Sequence, residues 1–405
     1  MTHKKNVWLF LSVIFLTGCS SDRKTPDSLP FIDIRKNYPE KEIVLTDIAD
    51  ITYVHLSTQN DDFLYKGGIN FATENTFVVT DQSSNSFLFF SRDGNPKSRF
   101  NRYGQGPEEY YRPEFTNVVY DEATDELFVP MSLMSGCYMQ IYSSTGEYKR
   151  KLTLPQSMKF CMGSIFVPFD DQSLLVYNDD ILRDKRVRKR AGDHSAFSPR
   201  LNDSAFVLVS RIDGKVLEYV EMPSITTDLS VTFGSGGYQF PGSFARIAKC
   251  AEGFILCNPE NDTIYLYKKD KSLTPILHKI PLYSESSRFL LNGCLDVGRH
   301  QFMSVRQLLN DERMSQLRTY FVRDKETGEI FRQKIILPDY RGKELFIHAY
   351  STFTRYFENE YQFHLRLSEL KQAEKENRLS GKLKELVATL NADTDNDVFM
   401  FVKFK

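Results

Sequence analysis

A strand–turn–strand pattern recurs along this chain and constrains its fold more than any other feature of the sequence. Each copy has an alternating apolar strand, a charged turn that contains Gly or Asp, and a second alternating strand, which is the signature of a β-hairpin. The copies lie at 87–100, 140–154, 206–223, 264–282 and 319–338. Their turns recur roughly every 50 to 70 residues, a period typical of propellers and other repeat folds.

Two further strands joined by a polar turn precede each hairpin. These pairs lie at 69–85, 115–132, 163–179, 245–262 and 294–307. Two inner strands and an outer hairpin make a four-stranded antiparallel sheet, which is one blade of a β-propeller. The sequence therefore predicts five blades between residues 60 and 340.

The rest of the chain predicts a sixth, composite blade. Residues 346–367 have the pattern of two strands, residues 367–391 that of a helical stretch broken at Gly381, and residues 398–405 that of a last strand. The segment 42–57 supplies the outer strand from the other end of the chain, which removes a free sheet edge.

We therefore predict an all-β fold, a six-bladed β-propeller of four-stranded antiparallel blades. Its last blade is closed by an N-terminal strand, and a short helical insertion lies near the C-terminus. A β-sandwich with a helical tail is the alternative, but a sandwich would not need so many equivalent hairpins.

The N-terminus has the pattern of a bacterial lipoprotein signal. Two lysines precede an apolar run over 7–16 that is too short to span a bilayer, and the run leads into the lipobox-like sequence LTGC, which ends at Cys19. We predict a signal peptide over 1–18, a lipidated Cys19 with a tether over 19–41, and the propeller over 42–405. A plain signal peptide with an incidental cysteine is the alternative.

Composition and charge exclude several classes of partner. Lys and Arg number 52 against 53 Asp and Glu, so no net field favours nucleic acid.

Five cysteines follow Cys19, an odd and scattered set that does not predict a disulfide framework, and we expect Cys250 and Cys257 to be buried and reduced. The histidine and cysteine spacings predict no metal site and no cofactor. We expect a monomer.

The segment RYGQGPEEYYRPEF, residues 102–115, allows three interpretations. A phosphate-binding loop would need a following Lys-Ser/Thr and a helix, and neither is present. A paired-acid site could use Glu108 and Glu109, but neighbouring residues on an extended chain point to opposite sides. The third interpretation is a structured crossover between blades, because glycines permit tight turns and Pro107 fixes the exit direction.

This segment carries a family resemblance. A DG turn followed by Gly104, Gln105, Gly106, Pro107, Glu109 and Tyr110 resembles the bacterial six-bladed β-propeller lipoproteins of the Bacteroidetes type, which are related in fold to NHL and TolB-like propellers. Glu108 replaces the glycine that is usual in that family. The resemblance implies a propeller and a lipoprotein of the bacterial outer membrane, facing the periplasm or the cell surface; Ser20 rather than Asp after Cys19 favours the same membrane. It implies no established activity.

Loops from every blade converge at the mouth of a propeller channel, so we expect a ligand there. The candidate residues are those near the ends of the inner strands: Arg102, Tyr103, Gln105, Glu109, Tyr110, Tyr238, Arg246, Arg306 and Arg355. Arginines with tyrosines could hold a carboxylated sugar or a peptide carboxylate. The alternative is that these arginines bridge neighbouring blades.

Two hypotheses of function follow. The first is a membrane-anchored binding or scaffold module for a glycan, a peptide or a partner protein. The second is a glycan-active lyase or hydrolase that uses Tyr, His or Arg at the channel, although no serine elbow or other catalytic motif is present in the sequence. The basic run over 183–190 could bind acidic glycans or form a solvated loop.

Overall fold

A computed structural model of the chain describes most of residues 29–405. The residues left undescribed within this range are 59–60, 112, 114–116, 134–135, 156–163, 178–204, 223–229, 233–238, 242–245, 259–260, 281–288, 309–315 and 350–356.

The N-terminal segment contains three short strands and one helical turn. They are β1 (Phe31–Asp33), β2 (Glu40–Val44), α1 (Leu45–Ile48) and β3 (Ala49–His55).

The first three blades follow as four-stranded antiparallel sheets in simple sequence order. Blade 1 contains β4 (Gly67–Ala72), β5 (Thr76–Asp81), β6 (Ser86–Ser91) and β7 (Pro96–Phe100). Blade 2 contains β8 (Val119–Asp121), β9 (Glu126–Leu133), β10 (Gly136–Tyr142) and β11 (Tyr148–Thr153). Blade 3 contains β12 (Ile165–Pro168), β13 (Ser173–Tyr177), β14 (Phe206–Ser210) and β15 (Val216–Tyr219). A separate two-stranded sheet follows, formed by β16 (Ser230–Thr232) and β17 (Gln239–Pro241).

Blades 4 and 5 have the same four antiparallel strands and one extra strand each. Blade 4 contains β18 (Arg246–Cys250), β19 (Gly253–Cys257), β20 (Thr263–Lys268) and β21 (Leu273–Ile280). Blade 5 contains β22 (Phe289–Val297), β23 (His300–Leu308), β24 (Gln316–Asp324) and β25 (Ile330–Ile336). The extra strands come from the N-terminus: β1 pairs in parallel with β21, and β2 pairs in parallel with β25.

The last blade joins the two ends of the chain. Its described strands are β26 (Glu360–Leu365), β27 (Val398–Phe404) and the N-terminal β3, which pairs antiparallel with β27 from Val398↔His55 to Phe404↔Ala49. The prediction that an N-terminal strand closes a six-bladed propeller is confirmed. The single strand predicted over 42–57 is wrong in detail, because α1 divides this segment between blade 5 and blade 6. Part of the inner strand predicted for this blade lies at 350–356, outside the described residues.

Two helices lie between β26 and β27, as the apolar spacing predicts. They are α2 (Leu367–Lys375) and α3 (Gly381–Ala388). Leu370 and Leu383 are fully buried in the core that blades 4, 5 and 6 share. Gly381 begins the second helix at a positive φ of 53°, so the break predicted there is confirmed. Among the described residues, no helix is both long enough and apolar enough to cross a bilayer.

Strand position within a blade explains the burial patterns. The second strand β5 is buried at all six residues, whereas the outer strand β7 alternates between partly buried and exposed residues before ending at the buried Phe100. A strand covered on both faces is continuously apolar, while an outer strand with one wet face alternates. The core therefore lies between the faces of neighbouring blades.

Glycines in the turns between third and fourth strands form close joints between blades. Gly94, Gly146 and Gly214 all have positive φ, at 91°, 86° and 74°. A Cβ on Gly94 would lie 2.1 Å from the carbonyl oxygen of His55, the last residue of the preceding blade's outer strand. A Cβ on Gly214 would lie equally close, at 2.1 Å, to the carbonyl oxygen of Thr153. The turn of one blade thus rests on the outer strand of the one before it.

We expect Gly94→Ala to lower the free energy of unfolding by about 3 kcal/mol, because it adds a backbone clash to the strain of positive φ. Gly328→Ala is the matched control. Gly328 has a positive φ of 75° in the equivalent turn of blade 5, but a Cβ there meets nothing within 4 Å. The control should lose only about 1 kcal/mol. Denaturant unfolding of both variants measures the difference, and equal losses would show that the joint is unimportant.

Candidate functional site

A cavity of about 970 Å³ opens at the end of the channel where the turns between first and second strands converge. The turns between the first and second strands of blades 1, 2 and 6 line the cavity, together with Pro168 of blade 3 and Lys249 of blade 4. Arg92 and Arg211, from the turns between third and fourth strands of blades 1 and 3, complete the wall. Five blades therefore contribute to one site.

Arg92 holds blade 1 against blade 6 at the edge of this cavity. Its guanidinium donates to the carbonyl oxygen of Thr73 at 3.0 Å and to the carboxylate of Glu360 at 2.7 Å. The same group lies over the ring of Phe77 at 4.8 Å and over that of Phe357 at 5.0 Å. An arginine fixed by two hydrogen bonds and two ring faces is a structural element of the cavity wall.

Arg211 makes an equivalent link between blades 3 and 2. It is 8% exposed and donates to the carboxylate of Asp121 at 2.5 Å and to the carbonyl oxygen of Asp170 at 3.2 Å. Burial alone would raise the pKa of Asp121, but a hydrogen bond from the Thr124 side chain and the charge of Arg211 lower it on balance. Asp121 is therefore a carboxylate at neutral pH.

Glu122 joins blades 2 and 1 in the same way. Its carboxylate accepts hydrogen bonds from the hydroxyls of Thr76 at 2.5 Å and Thr73 at 2.7 Å, and Lys97 lies 3.6 Å away. Burial opposes ionisation, but these donors outweigh it and lower the pKa of Glu122. A carboxyl group with a lowered pKa cannot act as a general acid near neutral pH.

Four other charged residues of the cavity have no such partner. Lys249 and Lys403 line it from blades 4 and 6, and Glu74 and Glu358 line it from blades 1 and 6. Within the part of the chain that the structure describes, none of these four makes an ion pair. Within the described residues, the cavity therefore offers a ligand charges of both signs that no ion pair occupies.

The described residues of the segment 102–115, which are 102–111 and 113, lie in the connection from β7 to β8, as the third interpretation of its sequence predicts. Tyr110 is fully buried, and its hydroxyl donates to the carbonyl oxygen of Asn85 at 2.6 Å. Glu109 folds back so that its carboxylate accepts the backbone N–H of Gly106 at 2.7 Å. The side chain of Arg102 donates to the carbonyl oxygen of Gly146 at 2.9 Å, across the joint between blades 1 and 2.

The other predicted site residues are dispersed. Tyr103 is 42% exposed on the crossover beside the exposed Gln105, and Arg306 is buried in β23. Outside the described residues lie Tyr238, Arg355, the side chain of Arg246, Cys19 and the basic run 183–190. None of the predicted residues with a described side chain lines the 970 Å³ cavity. Their role in binding a ligand at the channel mouth stays a prediction.

Sequence reasoning missed the residues that do line this cavity. A signal was present, because each predicted pair of inner strands is joined by a polar turn, and these turns must converge at one end of a propeller. Glu74, Glu122 and Glu358 occupy such turns.

A second cavity of about 410 Å³ lies between blade 5, blade 6 and the start of blade 1. Tyr320 stacks on Phe346 at a centroid distance of 4.3 Å in its wall, and His364 stacks on Phe399 at 5.0 Å. The imidazole of His364 also lies 2.7 Å from the carboxylate of Asp397. These ring pairs and this polar contact are made within the protein.

The cysteines fall into two groups. Cys250, Cys257 and Cys294 are buried free thiols, which confirms the prediction for the first two, and burial raises the pKa of Cys294. Cys137 is disulfide-bonded to a partner outside the described residues, and the odd, scattered set of cysteines did not predict this disulfide. Among the residues that the structure describes, no group of His, Cys, Asp and Glu is arranged to hold a metal ion.

Comparison with known proteins supports the same architecture. Residues 22–195 match a family model described as "DUF5128: 6-bladed beta-propeller". The chain is similar in structure to "Putative exported protein (BF0058)" from Bacteroides fragilis NCTC 9343, with 16% identity and a TM-score of 0.59 over 93% of this chain and 99% of the other. A subtype N10 neuraminidase-like protein of A/little yellow-shouldered bat/Guatemala/060/2010 matches with 9% identity and a TM-score of 0.36, over 88% of this chain and 99% of the other. No curated protein matches.

The matches to the family model and to the Bacteroides fragilis protein support the fold alone. The six-bladed propeller of the family resemblance is confirmed. Its assignment to the Bacteroidetes lipoproteins, and to the NHL and TolB-like group, stays a prediction.

Asp121→Asn should lower the free energy of unfolding at pH 7 by about 2 kcal/mol, because it leaves the buried Arg211 without its counter-charge. Since the folded-state pKa of Asp121 lies below its ordinary value of about 3.9, the stabilisation is present above that value and is lost as pH falls through the folded-state pKa. The gap between wild type and variant should therefore close in acid.

Asp213→Asn is the control, since it breaks an exposed ion pair with Lys215 in the same blade. It should change stability little. Denaturant unfolding at pH 7 and pH 3 measures the free energy of unfolding of both variants. If the difference between wild type and Asp121→Asn did not depend on pH, the ionised Asp121 would not be the source of the stabilisation.

Proposed function

We propose that the protein is a lipoprotein of the bacterial outer membrane that binds a carboxylate-bearing ligand in the 970 Å³ cavity. The observation that carries this proposal is the contrast between two kinds of cation in the wall. Arg92 and Arg211 are already paired with carboxylates of neighbouring blades, whereas Lys249 and Lys403 make no ion pair within the described structure. A ligand carboxylate can therefore meet a lysine without breaking a joint between blades.

Two carboxyl groups of the wall, those of Asp121 and Glu122, are unsuited to the acid step of glycoside hydrolysis. Glycoside hydrolysis usually requires one carboxyl group that stays protonated near neutral pH and a second that is ionised. Asp121 and Glu122 both have lowered pKa values and both hold blades together. The ligand classes that fit are a glycan with uronic acids and a peptide with a free carboxylate, and Glu74 and Glu358 can receive a positively charged group of either.

Two observations support a location outside the cytoplasm. The LTGC sequence ending at Cys19 predicts lipidation after cleavage of a signal peptide. The disulfide of Cys137 is typical of an oxidising compartment such as the periplasm or the cell surface. Ser20 favours transfer to the outer membrane.

A panel of polysaccharides and peptides tests the ligand class on protein that begins at residue 20. Members with uronic acids or a free C-terminus should bind, and carboxyl-reduced or amidated versions should bind at least about tenfold more weakly, since a charge-assisted hydrogen bond contributes roughly 1.5–3 kcal/mol. Lys249→Ala should weaken binding by a similar factor. Lys215→Ala, an exposed lysine outside the cavity, is the control and should bind normally.

The carboxylate proposal would be refuted if Lys249→Ala and Lys215→Ala bound the same compound equally well. It would also be refuted if an acidic compound and its carboxyl-reduced or amidated version bound equally well. Release of shorter products from a polysaccharide would instead establish the hydrolase or lyase alternative.

Cys19→Ser should move the protein from the membrane fraction to the soluble fraction, because two or three acyl chains on Cys19 are what would hold it there. Cell fractionation followed by immunoblotting measures this. Cys250→Ser removes a buried thiol of the propeller instead and should leave the protein in the membrane fraction. Sedimentation of the Cys19 variant with membranes would show that another feature anchors the chain.

A further inference from the structure

Phe31 is a large apolar side chain that faces solvent at the first strand of the protein. Side chains alternate through β1 and the residue after it, with Ile32 at 0% and Ile34 at 2% exposure, while Phe31 is 61% exposed. The strand is attached to the outer edge of blade 4, and its start is held because the carbonyl oxygen of Pro30 accepts the N–H of His278 at 2.7 Å. An aromatic ring is therefore fixed at the rim of the propeller, where the chain enters it.

The chain between Cys19 and this rim is short. Nine residues lie between Cys19 and Leu29, and the ten residue steps from one to the other span at most about 36 Å even when fully extended. A folded unit of this length has a radius of gyration of about 21 Å, which corresponds to a diameter of about 54 Å. A lipid on Cys19 could therefore bring the rim of blade 4 to a membrane. The tether is too short for the opposite orientation, in which the rim of blades 1 and 2 faces the membrane and Leu29 lies about 54 Å from it.

We infer that the rim of blade 4 lies on the membrane surface, with Phe31 inserted at the level of the lipid headgroups. This inference rests on the proposed lipid anchor at Cys19. Aromatic side chains such as that of Phe are common at this interface, because the ring is apolar and can lie at the boundary between the headgroups and the acyl chains. The channel axis then runs along the membrane plane, and the 970 Å³ cavity opens sideways into solvent.

A neutral lipid surface separates the contact of Phe31 from attraction by nearby cations. Arg35 is paired with Asp33 at 3.0 Å. Lys36 is exposed and makes no ion pair within the described residues, so it could attract anionic lipids by itself. The contact of Phe31 is therefore tested on phosphatidylcholine vesicles.

Tryptophan fluorescence can test this orientation. The sequence has one tryptophan, Trp8, which lies in the predicted signal peptide, so the mature chain has none. Phe31→Trp places a single probe on the rim of blade 4. Tyr103→Trp places a matched probe on the crossover between blades 1 and 2, where the native side chain is 42% exposed. Lipidated forms of both variants are incorporated into phosphatidylcholine vesicles with brominated acyl chains.

We expect the fluorescence of Phe31→Trp to be quenched at least about twofold more than that of Tyr103→Trp, because an interfacial aromatic ring lies about 5–10 Å into the headgroup and acyl boundary. Equal quenching of the two probes, or no quenching of Phe31→Trp in protein that floats with the vesicles, would overturn the orientation. Flotation reports the anchor separately: a lipidated sample that stays in solution would refute the proposed anchor itself. Unfolding curves like that of the wild type show that each variant is folded.

Discussion

The propeller depends on one closure, the pairing of the N-terminal strand β3 with the C-terminal strand β27. Without it blade 6 would lose its outer strand, and β27 would present an open edge to solvent or to another chain. The closure continues into the neighbouring blade, where Phe401 of β27 stacks on Phe77 of blade 1 at 4.9 Å with nearly parallel rings. The backbone N–H of Ser57, just after β3, donates to the carbonyl oxygen of Gly94 at 3.0 Å. Sheet pairing, ring stacking and a glycine joint therefore meet at the point where the ring closes.

The same N-terminal segment explains why the blades are not equivalent. In blades 1, 2 and 3 the turn glycine packs on the outer strand of the preceding blade, which leaves no room for a side chain. In blade 5 the equivalent Gly328 has open space around it. Blades 4 and 5 are also the two whose outer edges carry β1 and β2. Three blades thus have a close glycine joint to the blade before them, and two others have an added N-terminal strand along their outer edge.

Much of this architecture could be predicted from sequence because it follows from local patterns. Alternating strands around charged Gly turns identify the outer hairpins, and the break at Gly381 follows from its place in a helical stretch. Other features could not be predicted in this way. The short parallel strands β1 and β2 have no partner nearby in sequence, and their pairing with β21 and β25 depends on contacts across more than half the chain. The cavity residues were missed for a related reason, since polar side chains in five separate turns become one site only when the ring is closed.

The cavity combines stability and recognition in different residues. Arg92, Arg211 and Glu122 have their charges satisfied by neighbouring blades, so a ligand that competed for them would weaken the ring. Lys249 and Lys403 belong to blades 4 and 6 and make no ion pair with a neighbouring blade within the described structure. A propeller can keep its joints constant and change the residues between them, because joint contacts lie between blades while the tips of the turns face the channel. The charges that make no ion pair within the described residues lie at strand ends (Lys249, Lys403) and in turns (Glu74, Glu358), and these are where specificity can vary without loss of the fold.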